Sequence, residues 1–194
     1  MRWIIPCGAL LALLGLTSAR ASAASPAAAI AGRWVSNCLP LGKSGRHGLI
    51  VRLTLSPSAF TASGQMFAHN SCDMPVIAFS DDAAVERADG PPGGLDLHLR
   101  FESATMTIAD RIVAGIYAQR AKCGSDAWQV DTPVHVEGQV CEPISYPAKG
   151  ARLVAKTRLR DDRLTIRGLS ALFGATGDDG IVLPQDVEFR RDQR

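Results

Sequence analysis

Apolar and polar residues alternate along most of this chain, which is the pattern of β-strands with one buried and one exposed face. In residues 95–102, four apolar side chains alternate with Asp, His, Arg and Glu. Residues 48–57 repeat the pattern with Leu and Val on one face and Arg and Thr among the residues on the other. Both segments therefore predict strands that are half buried in a sheet.

Further strands are predicted between turn signals that recur every 8–15 residues. They cover residues 59–69, 76–79, 111–121, 127–140 (broken at Pro133), a hairpin at 152–160 and 163–168, and 181–191. Residues 80–94 predict a loop, with one or two helical turns behind an Asp cap and an end at the Gly- and Pro-rich residues 90–94. Nine or ten strands without a long helix favour an antiparallel sandwich or barrel.

The first 23 residues have the pattern of a cleaved signal peptide. Arg2 precedes an apolar run of about 14 residues, which is too short to span a bilayer, and Ala21-Ser22-Ala23 fits the signal peptidase rule. An uncleaved anchor is the competing interpretation. We expect a signal peptide at 1–23, a flexible lead-in at 24–31 and a single β-domain at 32–194, with no membrane-spanning segment after signal removal.

The predicted mature chain has no net charge. Removing Arg2 and Arg20 leaves 19 basic residues of the original 21, against 19 acidic ones. Because a basic surface is what attracts nucleic acid or an anionic membrane, neither is an expected partner.

Four cysteines remain after the signal, and an even number in an exported chain favours two disulfides. Of the three possible pairings, we predict the nearest-neighbour one, Cys38–Cys72 and Cys123–Cys141. Free thiols and a zinc site compete with this interpretation, but the chain has no Cys-x-x-Cys pair. Disulfides and a signal peptide together predict a periplasmic or secreted protein.

The sequence contains no convincing catalytic motif. It lacks Gly-x-Ser-x-Gly, and Gly42-Lys43-Ser44-Gly45 lacks the first Gly and the helix of a phosphate-binding loop. His69, three residues before Cys72, has metal-ligand spacing, but a disulfide would remove the thiolate. The acid pairs at 81–82, 161–162 and 178–179 are interpreted as solvated turn residues. We therefore predict no enzyme, no metal and no cofactor.

A family resemblance comes from Gly32-Arg33-Trp34-Val35-Ser36-x-Cys38, followed by Cys72-Asp73-x-Pro75. These residues resemble the small lipocalin-like proteins of bacteria, of the calycin type, and the barrel domain of a secreted animal Wnt antagonist. The resemblance implies a closed or nearly closed barrel of about eight to ten strands, often with a cavity for an apolar ligand. It also implies that Trp34 closes the base of the barrel.

The first functional hypothesis is an exported barrel that binds an apolar small molecule or lipid. The residues predicted to face inward and line the site are Trp34, Leu49, Val51, Leu53, Leu97, Leu99, Phe101 and Ile116. The alternative is a structural or protein-interaction module of the cell envelope with a filled barrel, which would contact its partner through the loops at 80–94 and 169–180.

Overall fold

Ten strands form one antiparallel sheet in the part of the chain that the computed structural model describes, residues 26–91, 93–141, 145–173 and 184–193. The predicted signal peptide and the acid pair at 178–179 lie outside these residues. The strands are β1 (Gly32–Ser36), β2 (Leu39–Leu41), β3 (His47–Leu55), β4 (Ala59–Phe67), β5 (Pro75–Asp89), β6 (Gly94–Ile108), β7 (Val134–His135), β8 (Arg152–Arg160), β9 (Arg163–Arg167) and β10 (Asp186–Arg191).

Eight of these strands close into a barrel. Their order is β1, β10, β9, β8, β6, β5, β4 and β3, and β3 pairs back with β1. Strand β2 pairs with the start of β3, and the two-residue β7 pairs with the second half of β6. The predicted all-β, closed antiparallel barrel is confirmed, although most of the extended region predicted at 127–140 is irregular.

The alternating apolar residues face the interior. Seven of the eight positions predicted to line it are at most 2% exposed, namely Trp34, Leu49, Val51, Leu53, Leu97, Leu99 and Phe101. Arg52 and Thr54, between the apolar positions of β3, are exposed. Burial of apolar area at about 25 cal/mol per Å² therefore specifies the face of each strand and its register.

The loop predicted at 80–94 is wrong, because β5 continues as a strand through Asp89. Ile77, Phe79 and Ala83 are buried on its inner face, and the strand pairs with β4 on one side and β6 on the other. Two neighbouring strands supply backbone partners along this segment, which stabilises the extended conformation over the short helix that an Asp cap would start. The segment is thus part of the wall and not a free contact loop.

The strand predicted at 111–121 is also wrong, because residues Arg111–Gln119 form helix α1. Its N-cap is Asp110, whose Oδ1 accepts hydrogen bonds from the backbone N–H groups of Ile112 (2.8 Å) and Val113 (2.9 Å). Such a cap satisfies N–H groups that the first turn of a helix leaves unpaired. Ile116 is 42% exposed on this helix and does not line the barrel.

A β-bulge in β6 adjusts the inner face beside β5. Asp82 pairs with Ser103 and Ala83 pairs with Phe101, so that Glu102 has no partner on β5. The extra residue shifts the alternation by one position, and both Phe101 and Ala104 consequently face inward. The regular pattern read from the sequence ends at this bulge, although β6 continues to Ile108.

Trp34 packs where residues 26–30 meet the barrel. These residues, predicted to be a flexible lead-in, form a 3-10 helix (Pro26–Ile30) with Ile30 buried. The indole N–H of Trp34 donates to the Ile30 carbonyl at 2.9 Å, and the Arg191 guanidinium lies 4.0 Å from the centre of the indole ring. Trp34 is fully buried. It thereby joins the first strand, the last strand and the segment before the barrel.

Both predicted disulfides are confirmed. Cys38 pairs with Cys72, joining the loop after β1 to the turn after β4, and Cys123 pairs with Cys141. The second bridge lies within residues 109–151, which connect β6 to β8 and are called the β6–β8 insertion below. A four-residue helix, α2 (Leu169–Leu172), follows β9. Within the described ranges, every helix is too short or too polar to cross a lipid bilayer.

Candidate functional site

A carboxylic acid lies inside the barrel. Asp81 is on the inner face of β5, and its side chain is 1% exposed. Neither carboxyl oxygen has a hydrogen-bond partner in the described part of the chain. An unpaired polar group in an apolar interior is destabilising, and such groups are rare enough in native proteins to require an explanation.

Alanines flank Asp81 on both sides. In the paired strands, Ala62 of β4 and Ala104 of β6 lie directly opposite it, and both are fully buried. Leu53 and Trp34 continue this row of paired residues across β3 and β1. The nearest cross-strand side chains are therefore methyl groups, which offer Asp81 no hydrogen bond.

Burial first, and the negative charge of the adjacent Asp82 second, together raise the pKa of Asp81 to about 8. A carboxyl group in such surroundings is mostly protonated at neutral pH, since desolvation disfavours the charged form. It can then donate one hydrogen bond and accept others, whereas the ionised form only accepts.

Three aromatic side chains of the β6–β8 insertion lie on the same side of the molecule. Tyr146 is 6% exposed, and burial, then the charge of Asp81, then Tyr117 raise the pKa of its hydroxyl. Tyr117 stacks edge-on against Trp128 with ring centres 5.3 Å apart, and the indole N–H of Trp128 donates to the Lys122 carbonyl at 2.9 Å. The insertion thus brings the Tyr146 phenol near the buried acid, with Tyr117 near Tyr146.

A second aromatic contact involves Phe79, the inward residue of β5 that precedes Asp81. Phe79 packs edge-on against Phe173, with ring centres 4.7 Å apart. Gly64 is directly opposite Phe79 on β4, and a Cβ atom there would lie 2.1 Å from the Phe79 ring. The glycine therefore makes room for the phenyl ring above Asp81. In the other direction along β5, Phe60 and Phe101 are fully buried beside Ala83.

An open groove of about 720 Å³ lies on the outer surface along β1. Its lining includes Val35 and Ile50, but most of the lining residues are polar or charged, among them Arg52, Asp162, Arg190, Arg191 and Asp192. The Arg191 guanidinium packs over the indole of Trp34 and donates a hydrogen bond to the Ala31 carbonyl. The groove is polar and shallow, so it does not suit an apolar molecule.

The predicted metal spacing does not form a site. Cys72 is in a disulfide, and His69 pairs instead with Asp73, with 3.4 Å between Nδ1 and Oδ1. Across the residues that the structure describes, no three His, Cys, Asp or Glu side chains are placed to share a metal ion. Trp128 is 5% exposed and packs within the insertion against Tyr117.

Sequence reasoning missed Asp81 because it interpreted the acid pair at 81–82 as solvated. A signal was present: Ile77, Phe79, Ala83 and Val85 keep a period of two through the pair, and Asp81 falls on their side. Asp82 falls on the opposite face, where its carboxylate accepts from Thr61 Oγ1 (2.8 Å) and Ser103 Oγ (3.3 Å).

Compared with known proteins, the chain matches no family model and no curated protein sequence.

Proposed function

We propose that this protein is an exported β-barrel that binds a small, mainly apolar molecule inside the barrel beside Asp81. The observation that supports this proposal is the buried carboxyl group whose oxygens have no partner among the described residues. A bound molecule with one polar group would supply that partner, and its apolar body would lie against the surrounding aliphatic and aromatic side chains. Binding sites for small molecules commonly have this composition, a mostly apolar lining with a few polar groups.

The barrel suits a single small ligand. Eight strands enclose an interior that is either filled by side chains or just wide enough for one such molecule. Ala62 and Ala104, the two inward residues paired with Asp81, have small side chains, so we place the ligand against them. The motif-level resemblance to lipocalin-like calycins points to the same kind of ligand.

An oxidising compartment fits the two disulfides. Disulfides persist in the periplasm and outside the cell and are rare in the cytosol. The pairs Cys38–Cys72 and Cys123–Cys141 together with the amino-terminal pattern support a periplasmic or secreted location.

Ligand binding can be tested in two steps. Native mass spectrometry of the protein purified from its own host would show a co-purified small molecule. Titration with the neutral apolar dye Nile red would then measure saturable binding in the wild type, in Ala62→Leu and in Ala78→Leu. Ala62→Leu adds a side chain on the inner face beside Asp81, whereas Ala78 is partly exposed on β5 and lines an outer groove.

We expect saturable dye binding that Ala62→Leu weakens at least about tenfold and that Ala78→Leu leaves unchanged. Circular dichroism melts would establish that each variant is folded, and Ala104→Leu would replace Ala62→Leu if the latter does not fold. Absence of saturable binding by the wild type would contradict the proposal, and so would equal binding by the inner and outer variants.

The alternative, an interaction module of the envelope, has one observation in its favour. Ile112 and Ile116 lie one turn apart on α1 and are 75% and 42% exposed. Exposed apolar side chains on one helix face can form a contact with another protein. A partner that co-purifies in fixed stoichiometry with the wild type, but not with an Ile112→Ser/Ile116→Ser variant, would favour this function over ligand binding.

A further inference from the structure

Among the residues that the structure describes, and apart from the aromatic ones, three buried side chains carry a polar or charged group on the inner surface: Ser36, Thr157 and Asp81. The Ser36 hydroxyl donates to the Asn37 carbonyl at 2.7 Å and accepts from the Val51 N–H at 2.9 Å. Thr157 Oγ1 donates to the Leu95 carbonyl at 3.1 Å. Both hydroxyls are thus occupied by the backbone, and Asp81 alone among the three has no partner.

The contrast with Asp82 shows that the missing partner is specific to the interior. The two residues are consecutive on β5, and Asp82 receives two hydroxyl hydrogen bonds on the outer face. The neighbouring strands β4 and β6 therefore supply hydroxyl donors to Asp82, and among the described residues they supply none to Asp81. An unsatisfied buried polar group is destabilising, and more so when it is charged, so a molecule that supplies the donor gains this free energy on binding.

The interior also has no positive charge of its own in the described ranges. Each buried residue there is apolar or aromatic apart from Ser36, Thr157 and Asp81, and Lys, Arg and His are not among them. Basic side chains of the wall face outward and form ion pairs there, as Lys156 does with Asp96 and Arg167 with Asp186. A counter-ion for Asp81 must therefore come from outside the barrel.

We infer that the ligand of this interior carries a protonated amine on an apolar body, and that the amine binds Asp81 as its ion-pair partner. An ammonium group offers three N–H donors, which is enough to reach both carboxyl oxygens, and it neutralises the charge that burial disfavours. A ligand carboxylate would instead place two negative charges together. This inference rests on the proposed function, and it narrows the expected ligand from a mainly apolar molecule to a cationic amphiphile.

Ionisation of Asp81 makes this binding dependent on pH. The groups near it are Asp82 on the same strand, Tyr146 of the insertion with Tyr117 beyond it, and Glu137, whose Oε2 accepts from the Ala104 N–H at 3.4 Å. His135 pairs with Glu137 at the surface, and the paired positions of β4 and β6 are alanines. Burial holds the pKa of Asp81 at about 8, so an ammonium must displace its proton at lower pH.

The affinity for an amine should therefore rise with pH. With a folded-state pKa of about 8, the apparent affinity increases roughly a hundredfold from pH 6 to pH 9, whereas an alkylamine with a pKa of about 10.4 remains charged. A neutral ligand of the same chain length should show no comparable rise.

Three matched amphiphiles test the inference: dodecylamine, dodecanol and dodecanoate, each below its micelle concentration, in competition with Nile red. We expect dodecylamine to bind at least about tenfold more tightly than dodecanol at pH 8, and dodecanoate to bind most weakly. Asp81→Asn should remove the preference for the amine over dodecanol, whereas Asp82→Asn should retain that preference.

The outcomes separate the inference from the proposed function. Equal binding of dodecylamine and dodecanol, or tighter binding of dodecanoate, would overturn the inference while leaving an apolar binding site in place. An amine preference that persists in Asp81→Asn would also overturn it. Failure of Nile red and of all three amphiphiles would contradict the proposed function itself. If Asp81→Asn does not fold, the pH series on the wild-type protein decides, because only the amine should bind more tightly as pH rises.

Discussion

At the residue scale, Asp81 gives the barrel an ionisable group at a position where aliphatic side chains would be more stabilising. Its neighbours Ala62 and Ala104 cannot hydrogen-bond to it, and its pKa is raised to about 8 by burial first and by the charge of Asp82 second. In the unfolded chain an Asp side chain titrates near 3.9. The folded protein therefore binds one proton more than the unfolded chain between these two values.

This difference in proton binding between the folded and unfolded states predicts that Asp81 makes the folded protein less stable as pH rises. Because the folded state retains a proton that the unfolded state loses, the free energy of unfolding falls from about pH 4 to pH 8 and levels off above it. Urea denaturation of the wild type and of Asp81→Asn at pH 5 and pH 7 measures the effect. We expect the free energy of unfolding of Asp81→Asn, relative to that of the wild type, to increase by about 3 kcal/mol from pH 5 to pH 7. The relative free energy of unfolding of Asp82→Asn should not change comparably. An equal change in the two variants would contradict the assignment of the raised pKa to Asp81.

At the element scale, the β6–β8 insertion brings Tyr117, Trp128 and Tyr146 to one side of the molecule, and a disulfide stabilises it. Cys123 and Cys141 are separated by 18 residues within the insertion, whereas Cys38 and Cys72 are separated by 34 and lie outside it. The chain-entropy estimate gives each bridge about 3–4 kcal/mol, so loss of either should lower global stability similarly.

The two bridges should differ in their effect on binding. We expect Cys123→Ser/Cys141→Ser to weaken Nile red binding several-fold, because Tyr146 beside Asp81 follows the bridged segment. Cys38→Ser/Cys72→Ser is the matched control and should retain the wild-type affinity at temperatures where it is folded. Equal affinities in both double variants would mean that the insertion does not shape the site.

At the scale of the whole molecule, the contacts of Trp34 stabilise the strand pairing that closes the barrel. It lies on β1, which pairs with β3 on one side and β10 on the other, and its N–H and ring contact Ile30 and Arg191. Its loss would leave a cavity at the strand that completes the ring. A large cavity of this kind is not refilled by neighbours, since protein interiors are close-packed and relax only partly.

Trp34→Ala should therefore destabilise the protein by about 3–5 kcal/mol, measured by urea denaturation with the disulfides intact. Trp34→Phe keeps much of the buried area and loses the hydrogen bond to the Ile30 carbonyl, so a smaller loss of about 1–2 kcal/mol is expected. A Trp34→Ala variant as stable as the wild type would show that closure does not depend on this side chain.

Much of the barrel could be predicted from local pattern. In β3 and the first half of β6, a strict alternation of apolar and polar residues specified both the strand and its inner face. Helix α1 was missed because Ile112, Ala114, Ile116 and Ala118 also alternate, and the Asp110 cap outweighs that pattern. The loop predicted at 80–94 was wrong because two acids in sequence suggest solvent, whereas a strand places them on opposite faces.

The sequence by itself determined the all-β class and the inward faces of the regular strands, because these depend on periodicity within the chain. The pairing of the four cysteines was a choice among three possibilities, and the tertiary structure confirmed it. Only the tertiary structure decided that Asp81 lies in the interior, between two alanines, without a hydrogen-bond partner in the described residues. That outcome depends on the register of β5 against two other strands and on the bulge at Glu102. Whether a buried polar group has a hydrogen-bond partner depends on which distant segments of the chain pack around it. The local sequence does not specify this packing.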